Sequence, residues 1–114
     1  SAAIEDTQRD LEASGLFGPI IGHVGDGNYH VVLTVDRNDH RDLEASEAFH
    51  DRLVARALAL GGTCTGEHGI GVGKMDYLAE ELGDGAMRVM AAVKRALDPG
   101  NIMNPGKVIP ARYF

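Results

Sequence analysis

Two histidines bracket a turn-forming run in Gly22-His23-Val24-Gly25-Asp26-Gly27-Asn28-Tyr29-His30. His23 and His30 lie seven positions apart. On one straight strand an odd separation puts side chains on opposite faces. Across a hairpin the outcome reverses. If the two residues pair directly, both point to one face, with Cβ atoms about 4.5–5.5 Å apart. That span suits two imidazoles converging on one divalent ion, each nitrogen about 2.0–2.1 Å from it. Asp26 and Asn28 can order the turn through their own backbone. The same pattern also describes two polar residues on a half-exposed hairpin, and spacing alone leaves both readings open.

A second cluster is Thr65-Gly66-Glu67-His68-Gly69-Ile70-Gly71. In an extended loop the adjacent Glu67 and His68 diverge, so one could face a metal and the other a substrate. Two histidines and one carboxylate leave coordination positions open, as catalytic metal sites do. A solvated glycine-rich loop is the competing reading. Cys64 lies nearby as a possible fourth ligand, although a small buried hydrophobe is the simpler expectation. His40 and His50 sit in or beside a charged helix and read as solvated, and the four methionines read as core. Gly69-Ile70-Gly71-Val72-Gly73-Lys74 follows no predicted strand and lacks Ser or Thr after the lysine, which excludes a dinucleotide fingerprint and a P-loop.

These clusters need elements to hold them. A helix is predicted over 4–14, ended by Gly15. Pro19–His23 and Tyr29–Val35 read as the strands of a hairpin. Asp39 caps a helix over about 40–60, stopped by Gly61-Gly62. Residues 63–73 form a loop. Lys74–Leu82 is a short helix ended by Gly83. A further helix over 85–97 carries a stripe of Ala86, Met90, Val93 and Leu97. Asp98-Pro99-Gly100-Asn101 terminates it, and the tail is irregular, then extended. Helices segregated from an antiparallel hairpin give an α+β class. A lone two-stranded hairpin is marginal in water, so the sheet is expected to gain strands from elsewhere.

The chain has 114 residues, a hydrophobic fraction of 44% and a formal net charge of −6. That acidity argues against a nucleic-acid or anionic-membrane surface. Its one cysteine cannot form an internal disulfide, which fits a reducing compartment. No apolar run approaches the roughly 20 residues a membrane span needs, and Ser1-Ala2-Ala3-Ile4-Glu5-Asp6 is unlike a signal peptide. A cytoplasmic location is expected.

Three segments, GHVGDGNYH (22–30), GEHGIGVGK (66–74) and DPGNIMNPGK (98–107), together resemble the C-terminal part of FAD-linked oxidases and dehydrogenases of the vanillyl-alcohol-oxidase type. D-lactate dehydrogenases and the glycolate oxidase flavin subunit are the nearest look-alikes. The resemblance runs in order over nearly the whole chain. It implies that residues 1–114 are the C-terminal portion of an α+β cap, or substrate, domain: an antiparallel sheet with flanking helices. The FAD-binding domain of the parent chain would lie outside these residues. By motif, His23, His30 and Glu67 match the divalent-metal ligands and His68 the catalytic base. Asn104 lies in the tail segment that returns toward the flavin. Zn²⁺ suits two imidazoles and a carboxylate, with Mn²⁺ and Fe²⁺ also compatible.

The implied activity is oxidation of a small D-2-hydroxy acid, D-lactate or glycolate-like, to the 2-oxo acid. It combines metal-assisted deprotonation of the hydroxyl, His68 as proton acceptor, and hydride transfer to FAD. Glu67 separates the chain from the related alkyl-dihydroxyacetonephosphate synthases, which carry a histidine-rich loop there. Val32 stands where hydroxyglutarate enzymes typically carry Asn. The fragment alone is expected to be inactive and to form a homo-oligomer that covers its exposed sheet. The parent could lie at the inner membrane through its electron acceptor. The alternative reading is a stand-alone metal-binding or interaction module without catalysis.

Overall fold

A computed structural model describes residues 2–114, with the backbone alone described at Val24. The order is helix α1 (Ala2–Ser14), strand β1 (Ile20–His23), strand β2 (Asn28–Val31), helix α2 (His40–Ala59) and helix α3 (Met75–Leu97). One-turn 3₁₀ segments lie at Val24–Asp26 and Ala111–Tyr113. The class is α+β, as expected. The chain divides into two compact units, one through Gly62 and one from Thr63 to Phe114.

In the first unit α1 packs on α2. Thr7 and Leu11 from α1 and Phe49 and Val54 from α2 are buried. Asp39 caps α2 as predicted: its carboxylate accepts from the Arg41 amide at 2.9 Å. Gly61 ends the helix region with φ +76°, a left-handed turn that glycine adopts without steric cost. Thr7 is a fully used hydroxyl. It donates to the Ala3 carbonyl at 2.8 Å and accepts from Arg56 Nη1 at 3.0 Å and from the Tyr29 phenol at 3.1 Å. Arg56 and Arg52 also reach Asp10, at 3.2 and 2.9 Å. The Arg52 hydrogen bond, with Arg56 adding to it, holds the Asp10 carboxyl below its ordinary value despite burial. This network ties α1, α2 and the hairpin together.

The second strand is shorter than the predicted Tyr29–Val35. Its ladder ends at Val31 because the next partner across the sheet is Pro19, which has no N–H to donate. Among the described residues, pairing persists beyond it as a Val32 N–H bond to the Pro19 carbonyl at 3.1 Å and an isolated Phe17–Thr34 bridge.

In the second unit, α3 contains the two predicted helices, joined through a kink at Gly83 with φ 77° and ψ 163°. The predicted stripe of Ala86, Met90, Val93 and Leu97 is not the buried face. Leu78, Met87 and Ala91 are buried, whereas Val93 and Leu97 are 53% and 79% exposed. Apolar residues surround the second half of α3, so periodicity does not select one face. The tail decides it: Ile109 and Pro110 are buried, and the 3₁₀ turn packs on α3. The tail is not extended at its end. It turns through Val108 at φ 68° into that 3₁₀ segment.

Candidate active site

The register of the hairpin corrects the expected direct pairing of His23 with His30. Ile21 pairs with His30, Gly22 with Tyr29 and His23 with Asn28. The turn consumes residues 24–27, shifting the register by two positions. A shift of two preserves the face, so His23, Ile21, Asn28 and His30 still share one side of the ribbon. The histidines are diagonal neighbours, with a typical spacing of about 7–8 Å, within reach of long or aromatic side chains. The shared face thus survives, although the tighter spacing does not.

The opposite face anchors the ribbon. Tyr29 points there and meets Thr7, and the cross-strand position facing it is Gly22. A Cβ at Gly22 would stand 2.5 Å from the Asn28 carbonyl oxygen and 2.7 Å from Tyr29 Cα and Cβ. Only glycine admits that approach. The glycine beside His23 and the tyrosine beside His30 therefore fix the plane from which both imidazoles project. His23 is exposed and His30 half-buried.

Glu67 and His68 lie in the second unit, on the 63–71 loop. The backbone bends at residues 66–68 rather than running extended. The two side chains consequently do not diverge: Glu67 Oε1 lies 3.5 Å from His68 Nε2, with both side chains more than half exposed. Gly69 and Gly71 turn the chain with φ of +76° and +55°, and the Thr65 hydroxyl closes the bend by donating to the Gly69 carbonyl at 3.1 Å. Cys64 is buried, as the simpler expectation had it. Burial, with a hydrogen bond to Glu81 adding to it, pushes its thiol up to about 11.

Asn104 sits exposed in the tail with φ 48°. That tail has a built scaffold which its residue types did not announce. Asp98, read from sequence as a plain helix terminator, is buried and accepts from the Ile102 and Met103 amides at 3.0 and 2.9 Å. Lys94, one turn earlier, donates to the same carboxylate and to the Met103 carbonyl. Lys94 chiefly, with the Met103 amide, lowers the Asp98 carboxyl to about 2. A lysine four residues before the Asp-Pro-Gly-Asn terminator was the available signal. The Val108 amide then donates to the Gly71 carbonyl at 2.8 Å, joining the tail to the end of the Glu67-His68 loop.

The family described as "FAD linked oxidases, C-terminal domain" matches residues 1–108. The chain belongs to that family. It is 52% identical over 106 residues to "Probable D-lactate dehydrogenase, mitochondrial" of Danio rerio, covering 93% of this chain and 21% of that protein. It is 46% identical to "D-lactate dehydrogenase [cytochrome] 1, mitochondrial" of Saccharomyces cerevisiae, over 92% of this chain and 18% of that protein. Identity to "Glycolate oxidase subunit GlcD" of Escherichia coli K12 is 33%, over 93% of this chain and 20% of that protein. The chain therefore spans about a fifth of the length of these relatives. No helix among the described residues is long and apolar enough to cross a membrane.

Imidazole and carboxylate groups are both donors that divalent cations accept. Two imidazoles leave one face of the ribbon in the first unit, and the Glu67 carboxylate is presented on an exposed loop in the second. Asn104 lies on a tail braced by Asp98.

Proposed function

We propose that this chain is the C-terminal part of an FAD-dependent dehydrogenase that oxidises a D-2-hydroxy acid, of the D-lactate or glycolate type, to the 2-oxo acid. The family match over residues 1–108 carries this reading, and the names of the relatives supply the substrate class. The FAD-binding domain of the parent protein is the proposed partner. His23, His30 and Glu67 are the proposed ligands of a divalent cation, Zn²⁺ first and Mn²⁺ or Fe²⁺ next. When bound, the flavin supplies a two-electron acceptor and the cation supplies Lewis-acid polarisation of the substrate oxygens.

This chain's own part is to orient the hydroxy acid and to move one proton. His68 receives the proton of the 2-hydroxyl on a ring nitrogen while the α-hydrogen leaves with its electron pair. Histidine is the side chain most often used for such a proton transfer. Glu67 Oε1 lies 3.5 Å from Nε2 of His68. Asn104 is proposed to face the flavin from the tail. Phe17, Ile21 and Val32 are exposed on the first unit, and a second copy of the chain is proposed to cover them in a homo-oligomer.

The test is anaerobic addition of D-lactate or glycolate to the full-length parent enzyme. Bleaching of the oxidised-flavin absorbance, with release of the matching 2-oxo acid, is expected. Flavin that stays oxidised with both acids and with longer D-2-hydroxy acids would overturn the assignment.

A further inference from the structure

The Glu67-His68 loop has no regular structure, yet it begins at a defined anchor. Glu81, on α3, is half-buried, and its Oε2 accepts from the Thr63 hydroxyl at 3.0 Å and from the Cys64 amide at 2.8 Å. Thr63 in turn accepts from the Thr65 amide at 3.4 Å. Burial raises the Glu81 carboxyl, and the bonds from Cys64 and Thr63 outweigh it, so the group stays ionised well below neutral pH. Cys64 is buried beside it. The loop's other end is held by the Val108–Gly71 backbone bond. Between these two ends the Thr65–Gly69 bond closes the bend carrying Glu67 and His68.

We propose that Glu81 is a positioning residue: its carboxylate seats Thr63 and Cys64 and thereby sets the place from which Glu67 and His68 are presented. The inference rests on the function proposed above for Glu67 and His68. Glu81 grips the chain at Thr63 and Cys64, upstream of the bend, so it acts through the loop. A charged acceptor taking a backbone N–H and a hydroxyl together is a strong local tether. Once it is lost, the Cys64 amide is left in a half-buried place without its acceptor, and the loop entry must move to find water. Displacements of about 1 Å at a reacting group can cost on the order of 100-fold in rate.

The experiment uses the full-length holoenzyme with two substitutions, Glu81→Ala and Glu81→Gln, and two readouts. One is the limiting rate of anaerobic flavin reduction by D-lactate, with its substrate dependence. The other needs no activity: the rate of Cys64 alkylation by N-ethylmaleimide, mapped by peptide mass spectrometry. Glu81→Ala should speed Cys64 alkylation at least about 10-fold by opening the loop entry. It should slow flavin reduction about 10- to 100-fold with FAD content unchanged. Glu81→Gln keeps an oxygen for the Cys64 amide and should restore both readouts to near wild type. This also separates tethering from the effect of the Glu81 charge on the thiol. Faster alkylation in Glu81→Ala with undiminished flavin reduction would overturn the positioning role, and so would a Gln variant as impaired as Ala. A His68→Ala variant in the same assay keeps the two ideas apart. If it is as fast as wild type, the base assignment fails; if it is slow while Glu81→Ala is not, only the positioning role fails.

Discussion

The hairpin that carries His23 and His30 and the loop that carries Glu67 and His68 are built on different principles. The hairpin's side chains are aimed by a backbone ladder, whose alternation places both imidazoles on one face whether the register is direct or shifted by two. Its back is fixed by a fully satisfied hydroxyl at Thr7 and by a glycine that admits Tyr29. The loop has no ladder. Its bend is set by positive-φ glycines, and its ends are tied to a carboxylate and to one tail amide. A ladder distributes its restraint over many weak bonds. The loop concentrates its restraint in two places, so single substitutions should matter more there.

The largest effects should come from the proposed ligands. In the parent enzyme His23→Ala or His30→Ala should remove most bound metal and most turnover, measured by elemental analysis and steady-state rate on one sample. Unchanged metal in both variants would break the claim that the shared face is a metal face. Next is Gly22→Ala. Its Cβ meets backbone rather than a flexible side-chain end, and overpacking of this kind costs about 1–3 kcal/mol. Hydrogen exchange of the 20–31 amides should accelerate, while exchange in the 63–71 loop should not. Equal acceleration in both segments would erase the contrast between them.

A smaller effect is expected from acid. The Asp98 carboxyl is depressed from 3.8 to about 2 by Lys94 and by the Met103 and Ile102 amides. A group whose folded-state pKa lies below its unfolded value stabilises the fold above the unfolded value. That contribution is lost as pH falls through the folded one. The tail should therefore loosen between pH about 4 and about 2. Exchange at Ile102 and Met103, corrected for intrinsic rate, should rise in that window in wild type and be already fast at pH 6 in Asp98→Ala. The smallest effect is Tyr29→Phe. It removes one hydrogen bond to Thr7, which keeps Arg56 and Ala3, at a net cost of about 1 kcal/mol. That should be visible as modestly faster exchange at β2.

The parts of this structure legible in the sequence were those fixed by short-range chemistry. Asp39 announced the start of α2 and Gly61 its end. Gly83 announced a break that the backbone confirms, and the turn formers between His23 and His30 announced a hairpin. What the residue types did not reveal depended on distant partners or on counting through a turn. The register could not be fixed because a seven-residue spacing fits more than one turn length, and only parity survived. Periodicity predicts a different buried face for α3 from the one observed, because the packed tail and not periodicity selects it. The apolar run after Tyr29 predicts a longer strand than forms, because Pro19 removes its partner's donor. Among site residues, divergence of Glu67 and His68 presumed an extended backbone, and the loop bends instead. Glu81 tethers a hydroxyl and an amide seventeen or more residues away, a partnership no local pattern marks, whereas Asp98 is signalled by Lys94 one turn earlier.

The proposed role of His68 is to take a proton from a hydroxy acid bound beside it. The most direct measurement is anaerobic stopped-flow reduction of the parent enzyme's flavin by D-lactate in His68→Ala, with metal and FAD content determined on the same sample. The bend that brings Glu67 and His68 together makes this measurement sharper, since proximity alone no longer separates a ligand from a base. Metal and FAD should stay bound while flavin reduction slows by roughly 10²–10⁴-fold, the usual worth of a positioned general base. Metal lost as completely as in His23→Ala would make His68 a ligand, and flavin reduction close to the wild-type rate would remove it from the chemistry.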